Sequence, residues 1–244
     1  MSRGTFLVVG ATSTIGRCVA RRLAAEGCGL CLTGRDPEEL AAVAADIAVR
    51  CGRPPLAVPL EARDFGSYPA LMDACGAIPG GLAGAVITWG MPEDPLARTD
   101  PAATAQVVEV NLTAPALLLE WLADRLGPGS CLAVLSSVAG DRGRADTRLY
   151  GAAKAGLNVF LAGLRAHCDR RGIRVLTVKL GRVDTRLSFG LAGALLAISP
   201  ESAAKALVRS LRRGRGTVYI PGWWRWIMLA LRSLPEGLFR RLPR

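Results

Sequence analysis

The sequence lacks any uninterrupted run of about 18 apolar residues, the length that a membrane-spanning helix requires. Its apolar stretch at the N-terminus is too short for a secretory signal, and a glycine-rich turn follows directly. An internal repeat, a linker and a low-complexity block are also missing. We therefore expect a cytoplasmic protein that forms a single domain over residues 1–244.

Acidic residues are scarce relative to basic ones. Lysine and arginine together number 31 against 20 aspartates and glutamates, for a formal net charge of +11. This balance indicates an anionic partner, which is a phosphorylated cofactor, a phospholipid surface or a nucleic acid. Because no module that interleaves aromatic and basic residues is visible, we predict no nucleic-acid binding.

Seven cysteines are scattered along the chain, and Cys28 and Cys31 form a C-x-x-C pair. Thiols stay reduced in the cytoplasm. The pair lies in a predicted buried strand, where residues three apart face opposite sides, whereas a redox pair normally opens a helix. We predict that these cysteines pack in the core, and we predict no metal site.

Short apolar runs, glycine-rich turns and amphipathic helices alternate along the chain. Strands are predicted at residues 6–9, 29–33, 56–58, 84–88, 131–135, 173–179 and 218–220. Helices are predicted at residues 17–26, 37–50, 68–75, 101–126 (with a kink at Pro115), 150–171 and 201–213. Continuous apolar strands that alternate with helices predict an α/β fold: a doubly wound, seven-stranded parallel sheet with helices on both faces.

The turn after the first strand is a candidate phosphate site. Glycine permits close backbone approach, and the following helix N-terminus offers free N–H groups and a positive dipole end. The alternative is a tight connection without a ligand. The residues that would contact a dinucleotide here are Gly10, Thr12, Ser13, Thr14, Ile15 and Gly16.

The end of the second strand selects between NADH and NADPH. An acidic residue there would bind the ribose 2′-hydroxyl and repel a 2′-phosphate, whereas Arg35 can grip the phosphate with charge-assisted hydrogen bonds. Asp36 is better explained as the N-cap of the next helix, and Arg17 adds a second positive charge. We predict NADPH, the alternative being that Arg35 is a solvated loop residue.

Ser137, Tyr150 and Lys154 form the catalytic candidate. Tyr150 follows Ser137 by thirteen positions, and Lys154 lies one helical turn after Tyr150 on the same face. A nearby ammonium lowers the pKa of a phenol, which brings proton transfer toward neutral pH. Ser137 lies at the carboxyl end of the fifth strand, where open α/β sheets carry their active sites.

These segments, read together, resemble the short-chain dehydrogenase/reductase family over nearly the whole chain. Residues 136–140 resemble its S-S-x-x-G segment, residues 150–154 its Y-x-x-x-K, and Asn111 its helix asparagine. The resemblance implies a Rossmann fold. It also implies that Tyr150 protonates a carbonyl oxygen, that Ser137 orients it, and that Lys154 binds the nicotinamide ribose.

The same resemblance implies that Asn111 holds a water in a proton relay. The alternative is that this asparagine only satisfies buried backbone groups. Further cofactor contacts implied by position are Glu61, Ala62, Gly90, Gly181, Val183 and Thr185.

The chain departs from the family pattern at four places, one of them Glu61, which stands where an aspartate often touches adenine. Thr14 replaces the middle glycine of the first turn, Thr88 and Trp89 replace the N-A that precedes Gly90, and Leu180 replaces a proline. A side chain at Thr14 narrows the phosphate pocket or adds a hydroxyl donor.

Two segments indicate a hydrophobic substrate. Residues 186–200 lie where the family places its substrate loop, and the stretch 189–198 within them is almost wholly apolar. Residues 221–244 form a basic, tryptophan-rich tail. Tryptophan beside arginine suits an anionic membrane surface, which would bring the protein to the inner face of the membrane. The alternative is that the tail packs on a neighbouring subunit, since the family habit is a homodimer or homotetramer.

Three segments, residues 10–13, 137–144 and 219–224, carry a finer resemblance. They are similar to decaprenyl-phosphoryl 2-keto-ribose 2-reductases, which reduce a keto-sugar carried on a polyprenyl phosphate. We expect an NADPH-dependent ketone reductase on such a substrate or another hydrophobic one. A 3-oxoacyl or secondary-metabolite ketoreductase is the second reading, and a non-catalytic NADP-binding scaffold or redox sensor is the third.

Overall fold

A seven-stranded parallel sheet forms the centre of the protein. The computed structural model describes residues 4–95, 98–184 and 197–241. Its strand order is β3-β2-β1-β4-β5-β6-β7, and every neighbouring pair is parallel. The bounds are β1 Thr5–Val9, β2 Gly29–Gly34, β3 Leu56–Pro59, β4 Leu82–Ile87, β5 Cys131–Ser137, β6 Arg174–Leu180 and β7 Gly216–Ile220. The predicted doubly wound fold is confirmed.

Helices cover both faces of this sheet. Their bounds are α1 Thr14–Ala25, α2 Pro37–Cys51, α3 Tyr68–Gly76, α4 Pro101–Val108, α5 Ala114–Arg125, α6 Arg148–Asp169, α7 Pro200–Arg213, α8 Trp224–Ser233 and α9 Glu236–Phe239. Apolar residues of α1, α2 and α7 share one core cluster, and those of α3, α5 and α6 share the other. Two buried layers follow from strands that are apolar on both sides.

The predicted helix over residues 101–126 is interrupted. A π-helical turn, Glu109–Thr113, separates α4 from α5. Pro115 follows in the first turn of α5, where a missing N–H is tolerated. The stretch Pro101–Arg125 is long and apolar enough to cross a membrane by length and composition. Within it, Leu118, Leu119 and Leu122 are buried against the sheet.

The cysteines pack as predicted. Cys28 belongs to the core cluster on one face of the sheet and Cys31 to the cluster on the other. Cys31 shares a side-chain hydrogen bond with Cys75 of α3. All seven thiols are free.

Candidate active site

The first βα turn is built so that only glycine fits at two positions. Gly10 has φ +81°, which L side chains rarely adopt, and a Cβ there would lie 2.7 Å from Thr88 Oγ1. A Cβ on Gly16 would lie 2.2 Å from the Gly10 carbonyl oxygen. Close packing of α1 on this turn therefore leaves no room for a side chain.

Ser13 begins α1 as its N-cap. Its Oγ accepts a hydrogen bond from the Gly16 N–H at 3.0 Å, and it lies 3.2 Å from Thr88 Oγ1. Thr14 is exposed at the first helical position, Thr12 and Ile15 are half-buried, and Ile15 packs against the core. A glycine turn at a free helix N-terminus is the arrangement that accommodates a pyrophosphate.

Thr88 joins this turn to β4. Its Oγ1 lies within hydrogen-bond distance of the carbonyl oxygens of Val9, at 2.8 Å, and Gly10, at 3.0 Å. A residue that departs from the family pattern thus binds the glycine turn with its hydroxyl. Gly90 is exposed, and the nearest atom to a Cβ built on it is Asn111 Oδ1 at 3.8 Å.

A groove of about 440 Å³ lies beyond the turn. Its lining residues are Thr12, Arg35, Asp36, Glu39 and Glu61. The Arg35 side chain is 76% exposed, with its Nε 3.9 Å from Glu61 Oε2. The guanidinium is therefore free to turn toward a phosphate in the groove.

The neighbours of Arg35 are already engaged within the chain. Asp36 caps α2 by accepting from the Glu38 and Glu39 N–H groups, as predicted. Arg17 donates to the Thr12 carbonyl and pairs with Glu39, so its charge is partly neutralised there. Ala62 is buried, and its carbonyl accepts from the Tyr68 hydroxyl at 2.6 Å.

Ser137, Tyr150 and Lys154 come together at the carboxyl end of β5. Ser137 is the last residue of that strand, and its Oγ accepts from the Ala139 N–H at 3.1 Å. Its hydroxyl also shares a hydrogen bond with Tyr150 on α6. Lys154 Nζ lies 5.9 Å from the centre of the Tyr150 ring.

Burial governs the protonation of both α6 residues. It raises the pKa of Tyr150, which the hydrogen bond with Ser137 lowers in part. It lowers the pKa of Lys154 to about 7. The expected depression of the Tyr150 pKa by a neighbouring ammonium is therefore wrong for this structure, because desolvation disfavours the charged form of each group.

Asn111 lies in the π-helical turn and is fully buried. Its Nδ2 donates to the carbonyls of Met91, at 2.8 Å, and Val107, at 2.9 Å, and its Oδ1 accepts from the Met91 N–H at 3.2 Å. Asn111 thus binds the backbone of the segment after β4. This agrees with the alternative that the asparagine satisfies buried backbone groups.

Lys154 binds the same segment. Its buried Nζ donates to the carbonyls of Trp89 and Leu135, each at 3.2 Å. Trp89 in turn stacks on Tyr68, with ring centroids 6.2 Å apart. The segment after β4 is therefore held between α3, the π turn and α6.

The end of β6 meets the C-terminal helix α8. A Cβ on Gly181 would lie 1.9 Å from Trp224 Nε1, so the indole packs directly on the Gly181 backbone. Val183 is buried and forms an isolated parallel bridge with Ile198. Thr185 and most of the predicted substrate loop, 186–200, lie outside the described residues.

A buried charge pair, which no sequence motif indicates, joins β6 to the loop that follows Ser137. Lys179 on β6 pairs with Asp141, whose other oxygen accepts from the Tyr219 hydroxyl at 2.8 Å. Arg142, the next residue, donates to the carbonyls of Leu231, Arg232 and Leu234 at the end of α8. The loop after β5 thereby fixes both β7 and α8.

Glu93 is a second residue that the motifs did not indicate. Its side chain is 4% exposed, and one carboxylate oxygen accepts from the N–H groups of Leu149 and Tyr150 at 2.7 and 2.8 Å. The other oxygen pairs with Arg98 at 2.8 Å. A carboxylate distant in sequence from α6 has no local signal that would have revealed it.

The residues present fit a nicotinamide dinucleotide. The glycine turn offers a side-chain-free surface at a helix N-terminus, the groove at Arg35 extends it, and the Gly90 backbone is open. Ser137 and Tyr150 lie at the other end, so a bound dinucleotide would reach from Arg35 to the tyrosine.

Comparison with known proteins assigns the family. A sequence model described as short chain dehydrogenase matches residues 4–192. An uncharacterized oxidoreductase of Mycobacterium tuberculosis is 36% identical over 242 residues, covering 98% of this chain and 96% of the relative. A cis-4-hydroxycyclohexanecarboxylate dehydrogenase of Sinomonas cyclohexanicum is 34% identical over 189 residues, covering 76% and 75%.

The solved structures agree with this assignment. A short chain dehydrogenase from Burkholderia cenocepacia, in complex with NADP, superposes with a TM-score of 0.80 at 25% identity, covering 88% of this chain and 94% of that one. The chain belongs to the short chain dehydrogenase family and is an oxidoreductase.

Proposed function

We propose that this oxidoreductase reduces a ketone to a secondary alcohol with NADPH, and that Tyr150 is the general acid. The observation that carries the proposal is the cluster of Ser137, Tyr150 and Lys154 at the carboxyl ends of the strands, beside the glycine turn. Open α/β sheets bind their ligands at this edge.

The dinucleotide would supply the hydride when bound, and the chain's own residues handle the proton. Tyr150 donates its phenolic proton to the carbonyl oxygen, and the Ser137 hydroxyl donates a hydrogen bond to the same oxygen. Burial raises the pKa of Tyr150, so the phenol carries its proton near neutral pH, as a general acid requires.

Lys154 and Asn111 have supporting roles in this mechanism. Lys154 would hold the nicotinamide ribose hydroxyls, and its pKa of about 7 lets it take up or release a proton near neutral pH. The amide of Asn111 already donates to the carbonyls of Met91 and Val107. The water-binding role that the family resemblance implies for Asn111 stays a prediction.

Arg35 supports the choice of NADPH. It lines the groove next to the glycine turn and is exposed. The Burkholderia cenocepacia structure holds NADP at 25% identity, which adds support. Glu61, Ala62, Gly90, Gly181, Val183 and Thr185 remain the proposed contacts along the rest of the dinucleotide.

For the substrate we propose a hydrophobic ketone, a lipid-linked keto-sugar being the first candidate. The apolar α8 packs on Gly181 at the edge of the site, where such a substrate would lie. The Sinomonas cyclohexanicum relative is named for a ring-bound secondary alcohol, which fits the same reaction class. A 3-oxoacyl or secondary-metabolite ketoreductase is the alternative.

We further propose a homodimer or homotetramer that uses the exposed face of α5 and α6, where Leu117 and Val159 are uncovered. The outer face of α8, which exposes Trp223, Trp226 and Leu229, is the proposed place of any contact with the inner face of a membrane.

The test is a titration of purified protein with NADPH and NADH, followed by absorbance at 340 nm against a panel of ketones. We expect NADPH to bind more tightly and to be oxidised, and we expect Tyr150→Phe to bind it without turnover. Turnover that persists in Tyr150→Phe would refute the mechanism. Tight NADPH binding without turnover of any ketone would support a non-catalytic scaffold.

The cofactor choice has its own control. We expect Arg35→Ala to weaken NADPH binding by about tenfold or more and to leave NADH binding nearly unchanged, because a phosphate contact of this kind contributes about 1.5–3 kcal/mol. Arg53→Ala is the matched control, because Arg53 is exposed and does not line this groove, and it should leave the binding of both cofactors unchanged. Equal losses for both cofactors would contradict the role of Arg35.

A further inference from the structure

Helix α6, which carries Tyr150, begins without a cap of its own. Thr147 occupies the N-cap position but its side chain makes no capping hydrogen bond. Its Oγ1 is buried and has no hydrogen-bond partner within the part of the chain that the structure describes. The first N–H groups of a helix need an acceptor, because no residue within the helix supplies one.

Glu93 supplies that acceptor from 56 positions away. Its Oε2 accepts from the Leu149 N–H at 2.7 Å and from the Tyr150 N–H at 2.8 Å. Hydrogen bonds from backbone N–H groups to a carboxylate are short and strong, and a negative charge at a helix N-terminus also matches the helix dipole. The cap therefore acts on the backbone of Tyr150 itself.

Arg98 holds this carboxylate in place. Its guanidinium donates to the other oxygen, Oε1, at 2.8 and 3.0 Å, and to the Asp146 carbonyl at 2.7 Å. Glu93 is thus buried with both oxygens bonded, and the loop before α6 is tied to the same arginine. A buried carboxylate that is fully bonded is a rigid anchor.

Glu93 also belongs to the segment that borders the proposed nicotinamide end. That segment contacts catalytic elements at three places: Trp89 accepts from Lys154, Met91 exchanges hydrogen bonds with Asn111, and Glu93 binds Tyr150. The position of the proton donor relative to Gly90 is therefore set by one short stretch of chain.

We propose that Glu93 is a positioning residue, whose carboxylate caps α6 at Tyr150 and fixes the phenol relative to the cofactor-facing backbone after β4. The proposal rests on the proposed function for its catalytic consequence, since it assumes that Tyr150 delivers the proton. Its structural content, the cap and the placement of the ring, does not depend on any substrate.

The first test observes Tyr150 without any turnover. The chain has three tyrosines, so the ring signals of tyrosine labelled with carbon-13 can be assigned with Tyr150→Phe. We expect Glu93→Ala to shift or broaden the Tyr150 signal, to leave those of Tyr68 and Tyr219 in place, and to speed amide hydrogen exchange in the first turn of α6. An unmoved Tyr150 signal, or unchanged exchange there, overturns the proposal.

The second test measures kinetics on any ketone that the wild type reduces. We expect Glu93→Ala to lower kcat by about tenfold or more, because a small displacement of a catalytic group is costly, and to change NADPH affinity by less than about twofold. Glu93→Gln, which keeps an acceptor oxygen, should recover part of the loss. A variant that changes KM and leaves kcat intact would contradict the positioning role of Glu93.

A matched control separates capping in general from capping at Tyr150. Asp100 caps α4 through the Ala102 N–H at 2.9 Å, and α4 carries none of the proposed catalytic residues. We expect Asp100→Ala to reduce stability by about 0.5–2 kcal/mol, the usual cost of a lost N-cap, and to leave the Tyr150 signal and kcat unchanged. If this variant reproduces the effects of Glu93→Ala, the role of Glu93 is only structural. If the wild type reduces no ketone, the proposed function fails and the ring signal still decides the cap.

Discussion

The buried pair of Asp141 and Lys179 is the sharpest place to test the stability of the loop after β5. The Asp141 and Lys179 side chains are 2% and 10% exposed, and the Tyr219 hydroxyl donates to the same carboxylate. Removal of Asp141 leaves an ammonium buried without its counterion. It also leaves the Tyr219 hydroxyl without its acceptor.

The expected loss follows from these contacts. Breaking a buried ion pair by removing one partner costs about 3–5 kcal/mol. For a domain of this size, each kcal/mol shifts Tm by about 2–4 °C, so Asp141→Ala should lower Tm by about 6–20 °C. The exposed pair of Glu236 and Arg240 gives the contrast, because Glu236→Ala should shift Tm by less than about 2 °C.

A combined variant shows whether the cost comes from the stranded charge. Asp141→Leu, Lys179→Met and Tyr219→Phe together replace the network by apolar groups of similar volume. Such replacement is often neutral for stability, so most of the lost Tm should return. The assay is thermal unfolding followed by circular dichroism, with urea unfolding at fixed temperature as the second measurement.

Two outcomes would refute this reasoning. A Tm loss for Asp141→Ala as small as that for Glu236→Ala would mean that the pair is solvated in solution. A combined variant no more stable than Asp141→Ala would mean that the loss arises from changed packing of the loop rather than from an uncompensated ammonium.

Two further predictions concern the site. The pKa of Lys154 falls from 10.5 to about 7 on folding, so the unfolded chain binds the extra proton between these values and stability rises with pH above 7. Tm of the wild type relative to Lys154→Met should therefore increase from pH 7 to pH 8.5, and a constant difference would contradict the lowered pKa. Gly16→Ala should cost about 1–3 kcal/mol and weaken NADPH binding, because its Cβ would lie 2.2 Å from the Gly10 carbonyl oxygen. Gly163→Ala, in open space on α6, should instead stabilise the protein by up to about 1 kcal/mol, as urea unfolding of both variants will measure.

Local signals were sufficient to predict the sheet. Most strands are apolar runs bounded by glycine or a capping residue, and the alternation with helices leaves few topologies. The cap at Asp36 and the placement of Cys28 and Cys31 on opposite faces followed from the same local rules. Motif spacing likewise brought Ser137, Tyr150 and Lys154 to one place, because a helical turn and a strand end fix their directions.

What the sequence could not predict depends on contacts between distant segments. Glu93 reaches α6 across 56 positions, and Asp141 reaches Lys179 across 38. Neither carboxylate has a motif around it. The predicted direction of the Tyr150 pKa shift was also wrong, because the depth of burial depends on tertiary packing and cannot be read from residue spacing.

The C-terminal tail shows how such contacts decide between interpretations. One side of α8 is used within the chain, since Trp224 packs on Gly181 and Arg142 binds the carbonyls at its end. Any membrane or subunit contact must therefore use the opposite side, which exposes Trp226 and Leu229. Because α8 rests on the end of β6 and on the loop after Ser137, a contact on its outer side would act directly on backbone that borders the active site.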